Sequence, residues 1–122
     1  MASSIAKLVC AVLILGLALP GTWATEYEVC DSDGWALGVN VLAWISPKTI
    51  HVGDTFIFHF VSPRTVAIVD EAGFLLCDAS HASYNDASGF FRYTFTKTGT
   101  YYFISAGLLD CVAGLKLKVV VV

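Results

Sequence analysis

The sequence predicts an all-β protein with the architecture of a β-sandwich or barrel. Short runs rich in β-branched and aromatic residues recur along the chain, and turn residues such as Gly, Asp and Pro separate them. Several runs alternate apolar and polar residues, which is the pattern of a half-buried strand. Any helix is expected to be short, near residues 38–44 or 78–84.

The first 24 residues are predicted to be a secretory signal peptide and not part of the fold. Lys7 supplies a positive start, residues 8–19 form an apolar core, and residues 20–24 give a break with small residues at the cleavage point. The apolar run is shorter than the roughly 20 residues that span a bilayer, so a membrane anchor is the weaker alternative. One compact domain is then expected over residues 25–122.

Seven strand segments are predicted in this domain. They are residues 25–30, 55–61, 65–70, 74–77, 90–96, 101–106 and 115–122. The second segment places Phe56, Phe58 and Phe60 on one face. The last places its apolar residues on one face, at Leu115, Leu117, Val119 and Val121. Lys97 to Gly99 form a good hairpin turn between the fifth and sixth segments.

Charge and the C-terminal segment limit the classes of partner. Ten acidic and seven basic residues give a net charge of −3, without a basic patch for nucleic acid or anionic membrane. Residues 115–122 lack the polar spacer and longer hydrophobic tail of a lipid-anchor signal, so no stable membrane anchor is expected. We therefore expect a secreted monomer in the extracellular space (the apoplast), or associated with the cell surface.

Several motifs follow one another in a specific order. They are DGW at 33–35, KTIHVGDTFIFHF at 48–60, Cys77, Tyr84 and KTGTYYFIS…C at 97–111. This order resembles the phytocyanins, the plant family of small secreted cupredoxins, over about residues 27–122. The resemblance implies a Greek-key β-sandwich of two sheets.

Three cysteines, Cys30, Cys77 and Cys111, remain after Cys10 leaves with the predicted signal peptide. An odd number allows at most one bridge within the chain. The resemblance implies that Cys77 and Cys111 form it, which would contribute about 3–4 kcal/mol on the chain-entropy model. Cys30 is predicted to be a small buried residue, with intermolecular pairing as the alternative.

The resemblance also gives the positions of a copper site. Copper-binding phytocyanins use two imidazoles, one thiolate and a weak axial donor. The corresponding positions here are Arg64 (or Thr65 in the next register), Ser105, Asp110 and Leu115. A serine hydroxyl is not ionised near neutral pH, leucine has no donor atom, and arginine brings a fixed positive charge.

These departures indicate the copper-free, early nodulin-like branch of the family, without a cofactor. We expect a non-catalytic binding or signalling module at the cell wall or surface; the alternative is a copper-binding electron-transfer protein. Arg64 and Asp110 occupy positions that copper would bridge. Either they form an ion pair that links two loops, or both side chains are solvated.

No other catalytic or metal site is predicted. His51, His59 and His81 are scattered without the spacing of a chelate, and His59 is expected to point away from the core. Ser105 and Asp110 have no Gly-x-Ser-x-Gly turn and no adjacent histidine, so the chain is not expected to be an enzyme.

A partner surface is predicted at the loop before the last strand. Leu108, Leu109 and Val112 are apolar residues at a loop tip, and the expected partner is a cell-wall protein or a glycan. The resemblance implies that Trp35 and Trp44 are core or support residues, with stacking on sugars as the alternative.

Overall fold

The structure is a computed structural model that describes residues 24–122, so the predicted signal peptide lies outside the described residues apart from Ala24. The described chain has strands β1 (Glu26–Glu28), β2 (Thr55–His59), β3 (Val66–Val69), β4 (Tyr84–Asp86), β5 (Phe90–Thr94), β6 (Gly99–Ile104) and β7 (Lys116–Val121). It also has short helices α1 (Val41–Ile45), α2 (Glu71–Leu76) and α3 (Leu108–Val112), and a 3₁₀ turn at Asp31–Asp33. Within residues 24–122, no helix has the length and apolarity needed to cross a membrane.

The strands form two sheets, which confirms the predicted two-sheet β-sandwich. One has the order β1-β2-β5 and the other the order β4-β3-β6-β7. β1 pairs with β2 in parallel, and the other named pairs are antiparallel. Because β6 runs antiparallel to both β3 and β7, the start of β3, the end of β6 and the start of β7 lie at the same end of the sheet. This end of the sheet carries the four positions that the family resemblance aligns with copper ligands.

Aromatic side chains fill the space between the sheets. Phe56 and Phe58 are fully buried and Phe60 nearly so, as predicted for one face of β2. The Phe56 ring packs edge to face on Phe95 with centroids 4.9 Å apart, a favoured aromatic arrangement. The predicted inward face of the last strand is confirmed by the burial of Leu115, Leu117, Val119 and Val121.

Both predicted support tryptophans are buried. Trp35 is completely inaccessible and Trp44 nearly so. The Trp35 indole donates a hydrogen bond of 2.9 Å to the Thr65 carbonyl, and the Trp44 indole donates one of 3.2 Å to the Asp31 carboxylate. Neither ring face is therefore free to stack on a sugar.

Three of the local predictions were wrong. The turn at residues 97–99 does not close a hairpin, because β5 and β6 lie in different sheets. Residues 74–77, predicted as a strand, belong to α2 and the residue that ends it. The helix forms because Asp70 accepts a 2.8 Å hydrogen bond from the Gly73 amide and so caps its first turn. Residues 78–84, one of two places predicted for a helix, form turns that lead into β4. The other, near residues 38–44, is confirmed by α1, which Asn40 caps.

Candidate functional site

The four positions that the resemblance aligns with copper ligands come together at one end of the four-stranded sheet. They are Arg64, Ser105, Asp110 and Leu115. Arg64 lies in the turn before β3, Ser105 directly follows β6, and Leu115 directly precedes β7. Asp110 lies in α3, which connects β6 to β7. The Ser105 amide donates a 3.1 Å hydrogen bond to the Leu115 carbonyl, which continues the β6–β7 ladder into the site.

Ser105 and Asp110 form a buried hydrogen bond at the centre of the site. The Ser105 hydroxyl donates to Asp110 Oδ2 over 2.8 Å and accepts from the Thr65 amide over 3.1 Å. Both residues are buried. Gly107 is so close that a Cβ placed on it would lie 3.1 Å from Asp110 Oδ2. The single proton of the serine hydroxyl is therefore committed to Asp110.

Arg64 completes this group of polar residues. Its Nη2 lies 3.8 Å from Asp110 Oδ1, so of the two alternatives left open by the sequence the structure contains the ion pair. Arg64 Nε is buried without a hydrogen-bond partner. Thr65, the alternative register, contributes differently: its hydroxyl accepts a 2.7 Å hydrogen bond from the Ala106 amide. We call Arg64, Thr65, Ser105 and Asp110 the polar network.

Comparisons with known proteins agree with this geometry. A family model described as a plastocyanin-like domain matches residues 34–115. Uclacyanin-3 of Arabidopsis thaliana is 35% identical over 89% of this chain and 49% of its own length. Early nodulin-16 of Medicago truncatula is 30% identical over 99% of this chain and 71% of its own length.

The chain belongs to the phytocyanin family.

Solved structures support the same fold. The structure titled cucumber basic protein, a blue copper protein, has a TM-score of 0.72 and 29% identity, covering 80% of this chain and 99% of that one. This phytocyanin spans about half the length of uclacyanin-3, 49% of it. The predicted family and fold class are thereby confirmed.

The residues of this phytocyanin do not fit a blue copper ion. Such an ion needs a thiolate and two imidazoles, with a soft axial donor. Ser105 offers a hydroxyl that is already bonded to Asp110, and Leu115 is a buried hydrocarbon in the core. The Arg64 guanidinium lies 3.8 Å from Asp110 Oδ1, so a cation bound to this carboxylate would meet a fixed positive charge.

Two of the three histidines have acidic partners outside the polar network, and the third is exposed. His51 Nδ1 lies 3.9 Å from the Asp54 carboxylate, His59 Nε2 lies 3.4 Å from Glu28, and His81 is exposed. His59 is half exposed, as its alternation with the core phenylalanines predicted. Among residues 24–122, no group of three or more His, Cys, Asp or Glu side chains is arranged to hold a metal.

The implied disulfide is confirmed. Cys77 and Cys111 are bridged, with Cα atoms 5.6 Å apart, so the end of α2 is fixed to α3 beside Asp110. Cys30 is free and buried, as predicted. Burial, with the nearby charges of Asp31 and Asp33, raises the pKa of the Cys30 thiol to about 11.

The disulfide links two helices that each carry exposed apolar side chains. Leu109 and Val112 of α3 are 78% and 68% exposed. Leu75 and Leu76 of α2 are 64% and 74% exposed. The side chain of Leu108 lies outside the described part of the structure. We call Leu75, Leu76, Leu109 and Val112 the helix-pair surface. The sequence predicted only the part on α3, because the pattern of residues 74–77 indicated a strand.

Proposed function

We propose that this phytocyanin is a secreted, non-catalytic binding or signalling module of the plant cell wall or cell surface, and that it works without copper. The observation that carries the proposal is the polar network. Ser105 and Asp110 are bonded to each other at 2.8 Å, and Arg64 neutralises the carboxylate from 3.8 Å.

The network provides without metal the link between loops that an ion would otherwise provide. Arg64 of the turn before β3 is paired with Asp110 of α3. Asp110 accepts from Ser105, which directly follows β6 and itself accepts from the Thr65 amide next to Arg64. An ion would have to displace the Ser105–Asp110 bond and bring its own charge beside a guanidinium. Soft metals also bind hydroxyl and carboxylate groups less well than thiolate.

Catalysis has equally little support in these side chains. The Ser105 hydroxyl is completely inaccessible and donates to a carboxylate, not to an imidazole base. A serine nucleophile needs an adjacent general base and access to substrate. The proposal therefore assigns binding, and not chemistry, to this end of the sandwich.

The helix-pair surface is the proposed contact region, and its chemistry favours a protein partner over a glycan. Four aliphatic side chains lie on two helices that a disulfide holds together. Exposed apolar side chains that lie near one another are typical of protein contact sites, and the disulfide limits how far apart the two helices can lie. The two tryptophans of the described chain that would suit sugar stacking, Trp35 and Trp44, are buried.

Titration of the purified protein with Cu(II), followed by visible absorption, tests the copper-free assignment. We expect no intense blue band. The matched control carries Arg64→His, Ser105→Cys, Asp110→His and Leu115→Met, which together restore two imidazoles, a thiolate and a thioether. A blue band from the unmodified protein would instead support the alternative, a copper-binding electron carrier like the protein named in the cucumber structure.

Capture of partners from a plant cell-wall extract tests the contact region. The variant Leu109→Ser/Val112→Ser should lose proteins that the unmodified chain retains. Val120→Ser is the control, because Val120 is also exposed but lies on β7. Equal capture by all three proteins would remove the helix-pair surface from the proposal and leave the copper-free assignment to be judged separately.

A further inference from the structure

A groove separates α1 from the start of β7, away from the polar network. Its volume is about 670 Å³, within the range of roughly 300–1,000 Å³ that is typical of small-molecule sites. β7 is the edge strand of its sheet. Its end pairs with Ile50 through an isolated bridge at Val121, whereas residues 116–118 at its start line the groove. Val39, Leu42 and Ile45 line one wall, and Phe74 and Leu117 line the other side.

The charges of this groove have one sign. Lys116 and Lys118 line it, and its described lining includes no aspartate or glutamate. The whole chain has only seven basic residues against ten acidic ones. Two of the seven therefore face one largely apolar groove, which is electrostatically complementary to an anion with an apolar body.

Lys116 is held in place on the groove wall. Its Nζ donates a 3.1 Å hydrogen bond to the Phe74 carbonyl and lies 4.5 Å from the centroid of the Phe74 ring. An ammonium group has three donors, so this contact leaves others for a ligand. Lys118 lies two residues along the same strand and is exposed, so both ammonium groups extend from the same face of β7.

We propose that this groove binds small amphipathic carboxylates. The apolar body of the ligand lies against Leu42, Ile45 and Phe74. Its carboxylate is held by Lys116 and Lys118 at the open side of the groove. The exposed Leu42 side chain, 74% accessible, would be covered by such a ligand. This inference is independent of the function proposed above, because the groove shares no residue with the polar network or the helix-pair surface.

Decanoate and 2-naphthoate are suitable probes, because they share the carboxylate and differ in an aliphatic or aromatic body. Each is titrated into the purified ¹⁵N-labelled protein, with decyltrimethylammonium as the cationic counterpart. We expect saturable amide shifts in residues 38–45 and 113–118 for at least one carboxylate, and much weaker binding of the cation. Preference between the two acids identifies the class of natural ligand.

Lysine variants decide whether the charges act as proposed. Lys118→Gln should weaken carboxylate binding about two- to fivefold, and Lys116→Gln/Lys118→Gln about tenfold, as expected for exposed ion pairs. Lys97→Gln, at an exposed lysine outside the groove, should leave the affinity unchanged. The proposal is overturned if neither acid binds, if the cation binds equally well, if shifts cluster on the helix-pair surface instead, or if Lys118→Gln has no effect.

Discussion

Removal of the Asp110 carboxylate should destabilise the fold by about 2–4 kcal/mol, although its chain position is that of a metal ligand in copper-binding relatives. Asp110→Ala takes away the acceptor of the buried Ser105 hydroxyl, at 2.8 Å. A hydrogen bond to a charged group contributes about 1.5–3 kcal/mol. The same change leaves Arg64 without its partner at 3.8 Å, and since that side chain is 25% exposed, this loss adds only about 0–1 kcal/mol.

Urea unfolding without reductant, followed by tryptophan fluorescence, measures this loss. Two variants separate the contributions. Asp110→Asn retains an acceptor for Ser105 and removes the charge, so it should cost less than Asp110→Ala. Adding Arg64→Met to Asp110→Ala should restore part of the stability, because no unpaired charge remains at the site. An Asp110→Ala protein within about 0.5 kcal/mol of the original would refute the view that the network supports the fold.

Three other predictions concern residues around the site. The double variant Cys77→Ala/Cys111→Ala removes the disulfide and opens a loop with a sequence separation of 34. It should lower the free energy of unfolding by about 4 kcal/mol in urea titrations. A loss below about 1 kcal/mol would contradict the chain-entropy estimate. The Cys30 thiol, whose pKa is raised to about 11 by burial, should react with a thiol reagent at pH 8 only after denaturation. A rapid reaction of the native protein would be inconsistent with this burial. The free energy of unfolding that the protonated thiol contributes is complete below the pKa of the unfolded state and is lost as the pH rises toward 11. Asp54→Ala should lower the free energy of unfolding by about 2–4 kcal/mol, because the buried carboxylate accepts from the backbone nitrogens of Thr25 and His51 at 2.9 and 2.8 Å. An unchanged midpoint in thermal or urea unfolding would contradict this prediction.

Sequence patterns were sufficient where the large apolar residues of a strand recur at every second position. The phenylalanines of β2 and the Leu/Val face of β7 followed the two-residue period, because one face of each strand packs in the core. Residues 74–77 could not be assigned in the same way. Four apolar residues are compatible with either a strand or the end of a helix, and the deciding contact was the Asp70 cap four positions earlier.

The candidate site was predictable only in part. The family resemblance placed Arg64, Ser105 and Asp110 together, and opposite charges at two of these positions made an ion pair one of two alternatives, which the structure contains. The sequence carries no signal for the hydrogen bond from Ser105 to Asp110, because the family pattern assigns both positions to metal ligands. The groove could not be found from sequence, because α1 and β7 are distant along the chain and only folding brings Lys118 near Ile45.

The mutual satisfaction of Ser105, Asp110 and Arg64 restricts how this scaffold can evolve. Ser105→Cys alone would place a thiol against a buried carboxylate, and Asp110→His alone would set an imidazole beside a guanidinium that has lost its counter-charge. Each single step toward metal coordination therefore passes through a less stable protein that still lacks a complete set of donors. A complete set of copper donors at these positions requires several replacements at once, whereas an exposed side chain outside the site, such as Val120, can change singly at little cost in stability.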